Sequence, residues 1–240
     1  MTHTVHPYAH RLGIIRDWKS RWFAADKKSY RENIAVDAAV RGYFKKRAKA
    51  MHIADMEIER SQGEVRVILH TARPGIVIGR SGENATKLRN EITALINSKA
   101  TGAKRAVKLD IMEIRQPENS ASVVGYMVAE GLEKRMPFRR VLKQTVEKVM
   151  AVREVVGVRI VLSGRLGGAD MSRTEQIKRG RIPLQTFRAN IDYAQVEALL
   201  PYGLLGIKVW IYLGETFSAE SGSRPASERQ ASASSNGPRR

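Results

Sequence analysis

The chain has 240 residues, with 42 Lys and Arg against 24 Asp and Glu, so its formal net charge is +18. An excess of this size is tolerated most easily beside a polyanion, which indicates nucleic acid first and an anionic membrane surface second. The chain contains no cysteine, which excludes disulfides, cysteine-ligated zinc and cysteine nucleophiles.

The length and an apolar content of 42% predict two domains with real cores. Met1–His10 lacks the apolar core of a signal peptide, and no stretch approaches the run of about 18 apolar residues that a membrane span needs. We therefore expect a cytoplasmic protein with no membrane partner.

Residues 1–25 are predicted to form an N-terminal arm rich in basic and aromatic side chains. The cations that we expect to bind RNA are Arg11, Arg16, Lys19 and Arg21. Trp18, Trp22 and Phe23 lie between and beside these cations, and charge combined with stacking suits contact with RNA. An equally open alternative is that the tryptophans pin the arm to the protein core.

Residues 26–116 are predicted to form the first domain. We expect a helix from Asp26 to about Ala50, strands over Met51–Arg60 and Glu64–Thr71, a second helix, and a strand over Val107–Ile114. Apolar residues alternate along the second of these strands, as in a sheet with one buried face.

A Gly-x-x-Gly loop precedes the second helix and is the candidate phosphate-binding site. It consists of Gly79, Arg80, Ser81 and Gly82. Glycines permit close backbone approach, helix-terminal N–H groups face an anion, and Arg80 adds a positive charge. The order helix, strand, strand, turn, loop, helix, strand is that of a KH module. The same spacing at 164–167 and 203–206 is interpreted as two turns, because no amphipathic helix follows either one.

Residues 117–214 are predicted to form an α+β C-terminal domain, with the domain boundary within Gln116–Asn119. Two helices are expected at about 119–135 and 138–152. Four strands, in a mainly antiparallel sheet, are expected at about 155–163, 169–178, 185–194 and 207–213. Residues 215–240 are rich in Ser, Ala and Gly and are predicted to be a disordered tail.

The sequence carries no sign of enzymatic chemistry. It contains no Gly-Lys dipeptide, which a Walker A loop requires, and no His-Glu-x-x-His motif. His3, His6 and His10 lie close together but have no carboxylate beside them. We predict a binding protein that is not an enzyme and uses no cofactor or metal.

Five motifs along the chain are similar in sequence to those of one family. They are Thr71–Arg80, Ser163–Ala169, Gly180–Leu184, Arg188–Tyr193 and Gly206–Ile211. They resemble bacterial ribosomal protein three of the small subunit, and the likeness extends over about residues 5–214. The resemblance implies an α+β protein in which a type II KH domain precedes the C-terminal domain. Ser81 stands where the family usually has lysine.

The resemblance also implies a role and a set of contacts. The family binds rRNA in the head of the small subunit beside proteins ten and fourteen. With proteins four and five it lines the mRNA entrance, where it assists passive unwinding. The matching C-terminal cations expected to bind rRNA are Arg165, Arg173, Lys178, Arg179 and Arg181. Those expected at the mRNA entrance are Arg139, Arg140 and Lys143.

Other functions remain open at this point. The helix face with Arg139 and Lys143, which are four residues apart, is alternatively an rRNA anchor or a solvated surface. The whole chain is alternatively a free-standing KH-domain RNA-binding regulator, or an enzyme acting on nucleic acid. The second domain's motifs favour the ribosomal reading over the regulator, and no carboxylate-rich metal cluster or nucleotide loop supports the enzyme.

The net charge predicts that binding of the isolated protein to single-stranded RNA depends steeply on salt. Counterion release gives a slope of log K against log salt of roughly −0.7 for each phosphate neutralised. Several contacts therefore produce a large loss of affinity between low and physiological salt, measurable by filter binding or anisotropy. An affinity for RNA that does not change with salt concentration would contradict the interpretation that binding is mainly electrostatic.

Overall fold

The computed structural model describes residues 5–61, 63–99 and 105–217 of the chain. The α-helices in these ranges are α1 (Lys27–Arg47), α2 (Pro74–Ile78), α3 (Glu83–Lys99), α4 (Ala121–Glu133) and α5 (Phe138–Met150). The strands are β1 (Ser20–Arg21), β2 (Ile53–Arg60), β3 (Glu64–Thr71), β4 (Ala106–Glu113), β5 (Gly157–Gly164), β6 (Arg173–Gly180), β7 (Ala189–Leu200) and β8 (Gly203–Glu215).

The first sheet has the strand order β1-β2-β3-β4 and supports the predicted KH domain. β2 and β3 are antiparallel, whereas β3 and β4, and also β1 and β2, run parallel. Val65, Val67 and Leu69 are buried, so the alternation read from the sequence is confirmed. They share one core with α1 and α3, which contribute residues such as Val40 and Ile92. β1 was not predicted, since two residues within the arm carry no strand pattern.

The second sheet has the strand order β6-β5-β8-β7, and every neighbouring pair is antiparallel. Helices α4 and α5 contribute to one apolar core with this sheet, as Val128, Val146, Ile160 and Val209 illustrate. The expected C-terminal architecture of two helices and four strands is therefore confirmed, and so is the α+β fold class.

The hairpin of β7 and β8 is longer than the sequence predicted. Its strands pair all the way from Ala189 with Glu215 to Leu200 with Gly203. The interpretation of 203–206 as a turn is wrong, because these residues begin β8 and Leu205 is buried in the core. Alternation of apolar residues continues through Leu205, and burial of that side chain extends the strand to the very end of the hairpin.

Arg11 is completely buried, and its guanidinium is surrounded by backbone carbonyls. Its Nε donates to the carbonyl oxygen of Ala189 at 2.6 Å, and Nη1 donates to that of Pro7 at 2.9 Å. Nη2 donates to the carbonyls of Leu184 at 3.0 Å and Thr186 at 2.9 Å. The prediction that Arg11 contacts RNA is therefore wrong, because its donors are occupied by the protein and its side chain has no exposed surface.

Polar contacts join the domain that contains the first sheet to the domain that contains the second. Glu133 on α4 forms an ion pair with Lys49 after α1 and also accepts the backbone N–H of Leu199 at 3.0 Å. His52 Nε2 lies 3.0 Å from a carboxylate oxygen of Glu130. Burial lowers the pKa of His52 despite this carboxylate, so the imidazole is mostly neutral at pH 7.

The predicted disordered tail, 215–240, falls mainly outside the described residues. Its first part differs from the prediction, since Glu215 is the last residue of β8. Thr216 then donates its backbone N–H to the carbonyl oxygen of Arg188 at 3.0 Å. Regular structure therefore extends past residue 214, because β8 of the long hairpin ends only at Glu215.

Replacing Arg11 with Met is expected to destabilise the protein by about 2–4 kcal/mol, because it leaves several carbonyls without donors. The midpoint of urea denaturation measures this loss. Arg31→Met is the matched control, since Arg31 is exposed on α1, and it is expected to change stability by less than about 0.5 kcal/mol. Equal midpoints for the two variants would contradict the structural role of Arg11.

Candidate nucleic-acid interface

The Gly-x-x-Gly loop joins α2 to α3 and depends on left-handed backbone conformations. Gly79, Ser81 and Gly82 have φ values of 74°, 51° and 79°. A Cβ at Gly79 would lie 2.7 Å from the side chain of Asn84, so both conformation and space require glycine there. Asn84 Nδ2 donates to the carbonyl oxygen of Ile76 at 3.4 Å and links the loop to α2.

The loop presents polar and apolar groups side by side. The side chains of Arg80 and Ser81 are exposed. Ile76 and Ile78 on α2 keep 44% and 40% of their surface exposed, which is unusual for isoleucine. Since α3 begins at Glu83, its unpaired amide groups adjoin the loop. Phosphate-binding backbone beside exposed apolar surface is the arrangement that a single RNA strand needs.

Helix α5 presents a cationic face to solvent. Arg139, Arg140 and Lys143 are all exposed. The opposite face supplies the buried stripe that the sequence predicted, comprising Val141, Leu142, Thr145, Val146 and Val149. Phe138, which was assigned to the same stripe, is only half-buried. Burial of one face therefore fixes the direction in which the cations point.

Arg173 on β6 extends this cationic face across to the sheet. Its guanidinium lies 5.5 Å from the ring centroid of Phe138, and that of Arg139 lies 5.7 Å from the same ring. Both arginines approach Glu175, at 4.0 Å and 3.6 Å respectively. The sequence analysis did not assign Glu175 to this surface, and it placed Phe138 in the buried stripe. Alternation along β6 was the available signal, because it places Arg173 and Glu175 on one face.

The remaining predicted cations of the second domain are exposed but dispersed. Lys178, Arg179 and Arg181 lie on or just after β6, the edge strand of the sheet. Alternation places Arg179 on the same face as Arg173, and Lys178 on the other face. Their contact with rRNA stays a prediction.

Arg165 orders the turn between β5 and β6. Its Nε donates to the carbonyl oxygen of Ala169 at 2.9 Å, and its Nη1 donates to that of Tyr202 at 3.3 Å. Its Nη2 lies 3.2 Å from a carboxylate oxygen of Asp170. These contacts position the turn, and the 43% of the side chain that is exposed is the part left for RNA.

The other cations of the arm contact the protein. Arg16 Nη2 donates to Asn190 Oδ1 at 2.8 Å, and Lys19 Nζ lies 2.7 Å from Asp55. Arg21 lies within 4 Å of three carboxylates, those of Asp17, Glu57 and Glu59. The charges of Lys19 and Arg21 are therefore largely balanced within the protein, which weakens the case for the arm as an electrostatic RNA contact, whereas Arg16 bonds a neutral amide.

The aromatic residues of the arm divide between the two predicted roles, which are anchoring the arm to the protein and stacking on RNA. Trp22 Nε1 donates to Asp37 Oδ2 at 2.9 Å and pins the arm to α1. Trp18 and Phe23 remain 59% and 90% exposed, so their rings are open to stacking. One aromatic therefore anchors the arm, and two are placed for contact with a partner.

Within the described ranges, no group of three or more His, Cys, Asp or Glu side chains is arranged to hold a metal ion. None of the helices in the same ranges has the length and apolar character needed to cross a membrane. The Gly-x-x-Gly loop and the cationic face of α5 are the main candidate contacts with RNA.

Comparisons with known proteins agree with this geometry. Residues 39–119 match the family described as KH domain, and residues 128–211 match Ribosomal protein S3, C-terminal domain. Small ribosomal subunit protein uS3 of Caldicellulosiruptor bescii is 47% identical over 215 residues, 90% of this chain and 93% of that protein. The protein of the same name from Ruegeria sp. (strain TM1040) is 41% identical over 99% of this chain and 95% of its own length. That from Clostridium perfringens (strain SM101 / Type A) is 42% identical over 90% and 93%.

Changing Arg80 and Ser81 together to Asp is expected to lower photocrosslinking of the α2–α3 segment to RNA by about fivefold or more, through charge repulsion. Both side chains are exposed, and Asp tolerates the left-handed backbone at position 81, so the fold is preserved. Ala25→Asp with Lys28→Asp makes the same change in charge at exposed positions near the start of α1. Equal crosslinking by both double variants would show that the loop is only a turn.

Proposed function

The chain belongs to the uS3 family of small ribosomal subunit proteins, and from this membership we propose that it lines the path by which mRNA enters that subunit. Proteins of this family are structural and non-enzymatic. The chain is accordingly a ribosomal protein that binds rRNA. We propose that its KH and C-terminal domains are the parts that do so. Membership of this family does not favour the alternative that the chain is a free-standing RNA-binding regulator.

The cationic face of α5 is the observation that supports contact with mRNA. Arg139, Arg140 and Lys143 lie within about one and a half turns of helix, where like charges repel one another. Arg173 adds a fourth cation over Phe138, while Glu175 offsets only part of the total charge. A surface of this kind is stabilised by an anion that lies along it, and a single RNA strand is such an anion.

The proposed mechanism of unwinding is passive. The sequence has no Gly-Lys dipeptide for a Walker A loop, so energy from nucleotide hydrolysis is not expected within this chain. The cations of α5 hold the strand that thermal opening of a hairpin releases, and translocation then draws it inward. Arginine is suited to this task, because its planar guanidinium binds phosphate by two parallel hydrogen bonds and also stacks on bases.

The wider setting of the protein is part of the same proposal. We place it in the head of the small subunit, beside ribosomal proteins ten and fourteen, with proteins four and five across the mRNA entrance, in the cytoplasm. Family resemblance supports this placement. Exposed Trp18 and Phe23 and the dispersed cations Lys178, Arg179 and Arg181 are available for such neighbours and for rRNA.

Changing Arg139, Arg140 and Lys143 to Ala is expected to slow translation through a stable mRNA hairpin by roughly threefold. This corresponds to about 0.7 kcal/mol, the scale of a few exposed charge contacts. Translation of an unstructured message is expected to be unchanged. The measurement is single-turnover translation by subunits reconstituted with each variant.

The matched control changes Lys27, Lys28 and Arg31 to Ala, which removes the same charge from exposed positions on α1. It is expected to translate both messages like the unaltered protein. The proposal would be contradicted if subunits with the α5 variant translated each message at the same rate as subunits with the unaltered protein. Failure of that variant to enter subunits would assign the α5 face to rRNA anchoring instead.

A further inference from the structure

A notch of about 330 Å³ lies where Arg73 of the first domain meets helices α4 and α5 of the second. Arg73, Lys134 and Lys148 are its basic side chains. Among the residues that the structure describes, Glu130 is the one acidic side chain of the lining, which therefore carries a formal charge of +2. The volume is at the lower end of the range of about 300–1,000 Å³ found for ligand pockets.

The three cations of the notch are not neutralised by the protein. All three side chains are exposed. In the described part of the chain, no carboxylate oxygen lies within 4.0 Å of the charged nitrogens of Arg73, Lys134 or Lys148. Glu130 has an oxygen 3.0 Å from His52 Nε2, so that oxygen is engaged on the side of the first domain. Cations gathered in this way repel one another, and an anion between them relieves the repulsion.

The C-terminal end of α4, which forms part of the notch, does not strongly repel an anion. Lys134, Arg135 and Met136 donate their backbone N–H groups to carbonyl oxygens of the last turn of α4, at 2.9–3.2 Å. Free carbonyls at a helix C-terminus carry the negative end of the helix dipole, and hydrogen bonds to them reduce that charge. The ammonium of Lys134 adds a positive charge at the same end.

The notch adjoins both candidate RNA contacts. Arg73 directly precedes α2, and the Gly-x-x-Gly loop begins at the other end of this helix. Thr71 Oγ1 accepts the backbone N–H of Arg73 at 3.2 Å, which holds that position. Lys148 follows Lys143 on α5 by five residues, about 7.5 Å along the helix axis and about 140° around it. The cations of the notch therefore extend the positive surface from the α5 face toward the first domain.

The shape of the notch favours a strand that stays in place over one that moves. Its cations come from three separate elements, so they surround a ligand rather than lie along it. Met127 and Met136 add adaptable apolar surface, which suits contact with a ribose. Because mRNA has to move through the subunit and rRNA does not, rRNA is the occupant that fits a concave site.

We propose that the notch binds a backbone phosphate of one rRNA strand among Arg73, Lys134 and Lys148. The guanidinium of Arg73 donates two parallel hydrogen bonds to phosphate oxygens, and the two lysines act as point charges. The bound strand then contacts both domains and stabilises their arrangement. The proposal rests on the rRNA binding of the family and is independent of contact between α5 and mRNA.

The test is photocrosslinking in small subunits reconstituted with the full chain. Gln144 is exposed and lines the notch from α5, so a benzophenone amino acid replaces it. This group is expected to crosslink to one short stretch of rRNA. Changing Lys134 and Lys148 to Ala in the same chain is expected to lower the yield about fivefold, the effect of two charge contacts.

The matched control changes Lys27 and Lys28 to Ala, which removes the same charge from exposed positions on α1. It is expected to leave the crosslinking yield unchanged. Equal yields for the control and for the variant at Lys134 and Lys148 would overturn the proposal.

A second variant adds charge to the notch without removing a cation. Gln144→Glu keeps the size of the side chain and places a carboxylate among the cations. It is expected to raise the reactivity of the crosslinked rRNA stretch toward hydroxyl radicals by about threefold, the effect of offsetting one charge contact. Gln195→Glu makes the same change at an exposed position on β7 outside the notch and is expected to have no effect. If the lysine variant does not enter subunits, unchanged reactivity with Gln144→Glu overturns the proposal instead.

The outcomes separate this proposal from the function on which it rests. A crosslink from position 144 to mRNA, or to another ribosomal protein and not to rRNA, would reject the phosphate site and leave rRNA binding by the rest of the chain intact. Absence of any crosslink from that position would reject the site in the same way. Exclusion of the unaltered chain from subunits would overturn both proposals.

Discussion

The burial of the Arg11 guanidinium among backbone carbonyls is the contact on which the arrangement of both domains depends. Arginine stays protonated inside proteins, so a buried guanidinium is stable only when acceptors surround it. The arm supplies one acceptor at Pro7, and the segment up to the start of β7 supplies the others. The arm is thereby attached to the second sheet. A few residues later, β1 pairs with β2 of the first sheet, so one continuous strap holds both domains.

The strap also determines where the positive charge of the protein is available. Lys19 and Arg21 lie against carboxylates of β2, so that stretch of the arm is balanced within the protein. The α5 face keeps its charge because the apolar stripe of the helix faces the core. In the part of the chain that the structure describes, Glu175 is the one carboxylate within 4 Å of the α5 cations. The net charge thus indicates the class of partner, whereas packing decides which cations remain exposed for contact with that partner.

Polar contacts cross the junction between the domains. Glu133 joins Lys49 to the backbone of Leu199, and His52 faces Glu130. A cleft of about 560 Å³ lies at this junction, and its lining mixes polar side chains with those of Ala54, Ile114 and Leu213.

Local patterns in the sequence determined the elements and the family of this protein. Alternation at Val65, Val67 and Leu69 predicted β3, and the glycines at 79 and 82 ahead of an amphipathic helix predicted the KH loop. Such patterns are readable because they depend on residues close together in the chain. The tertiary structure alone decided the burial of Arg11, whose acceptors other than Pro7 lie more than 170 residues away, and the gathering of Arg173, Phe138 and Arg139. It also decided the length of the β7–β8 hairpin and the existence of the cleft, because each depends on which distant surfaces meet.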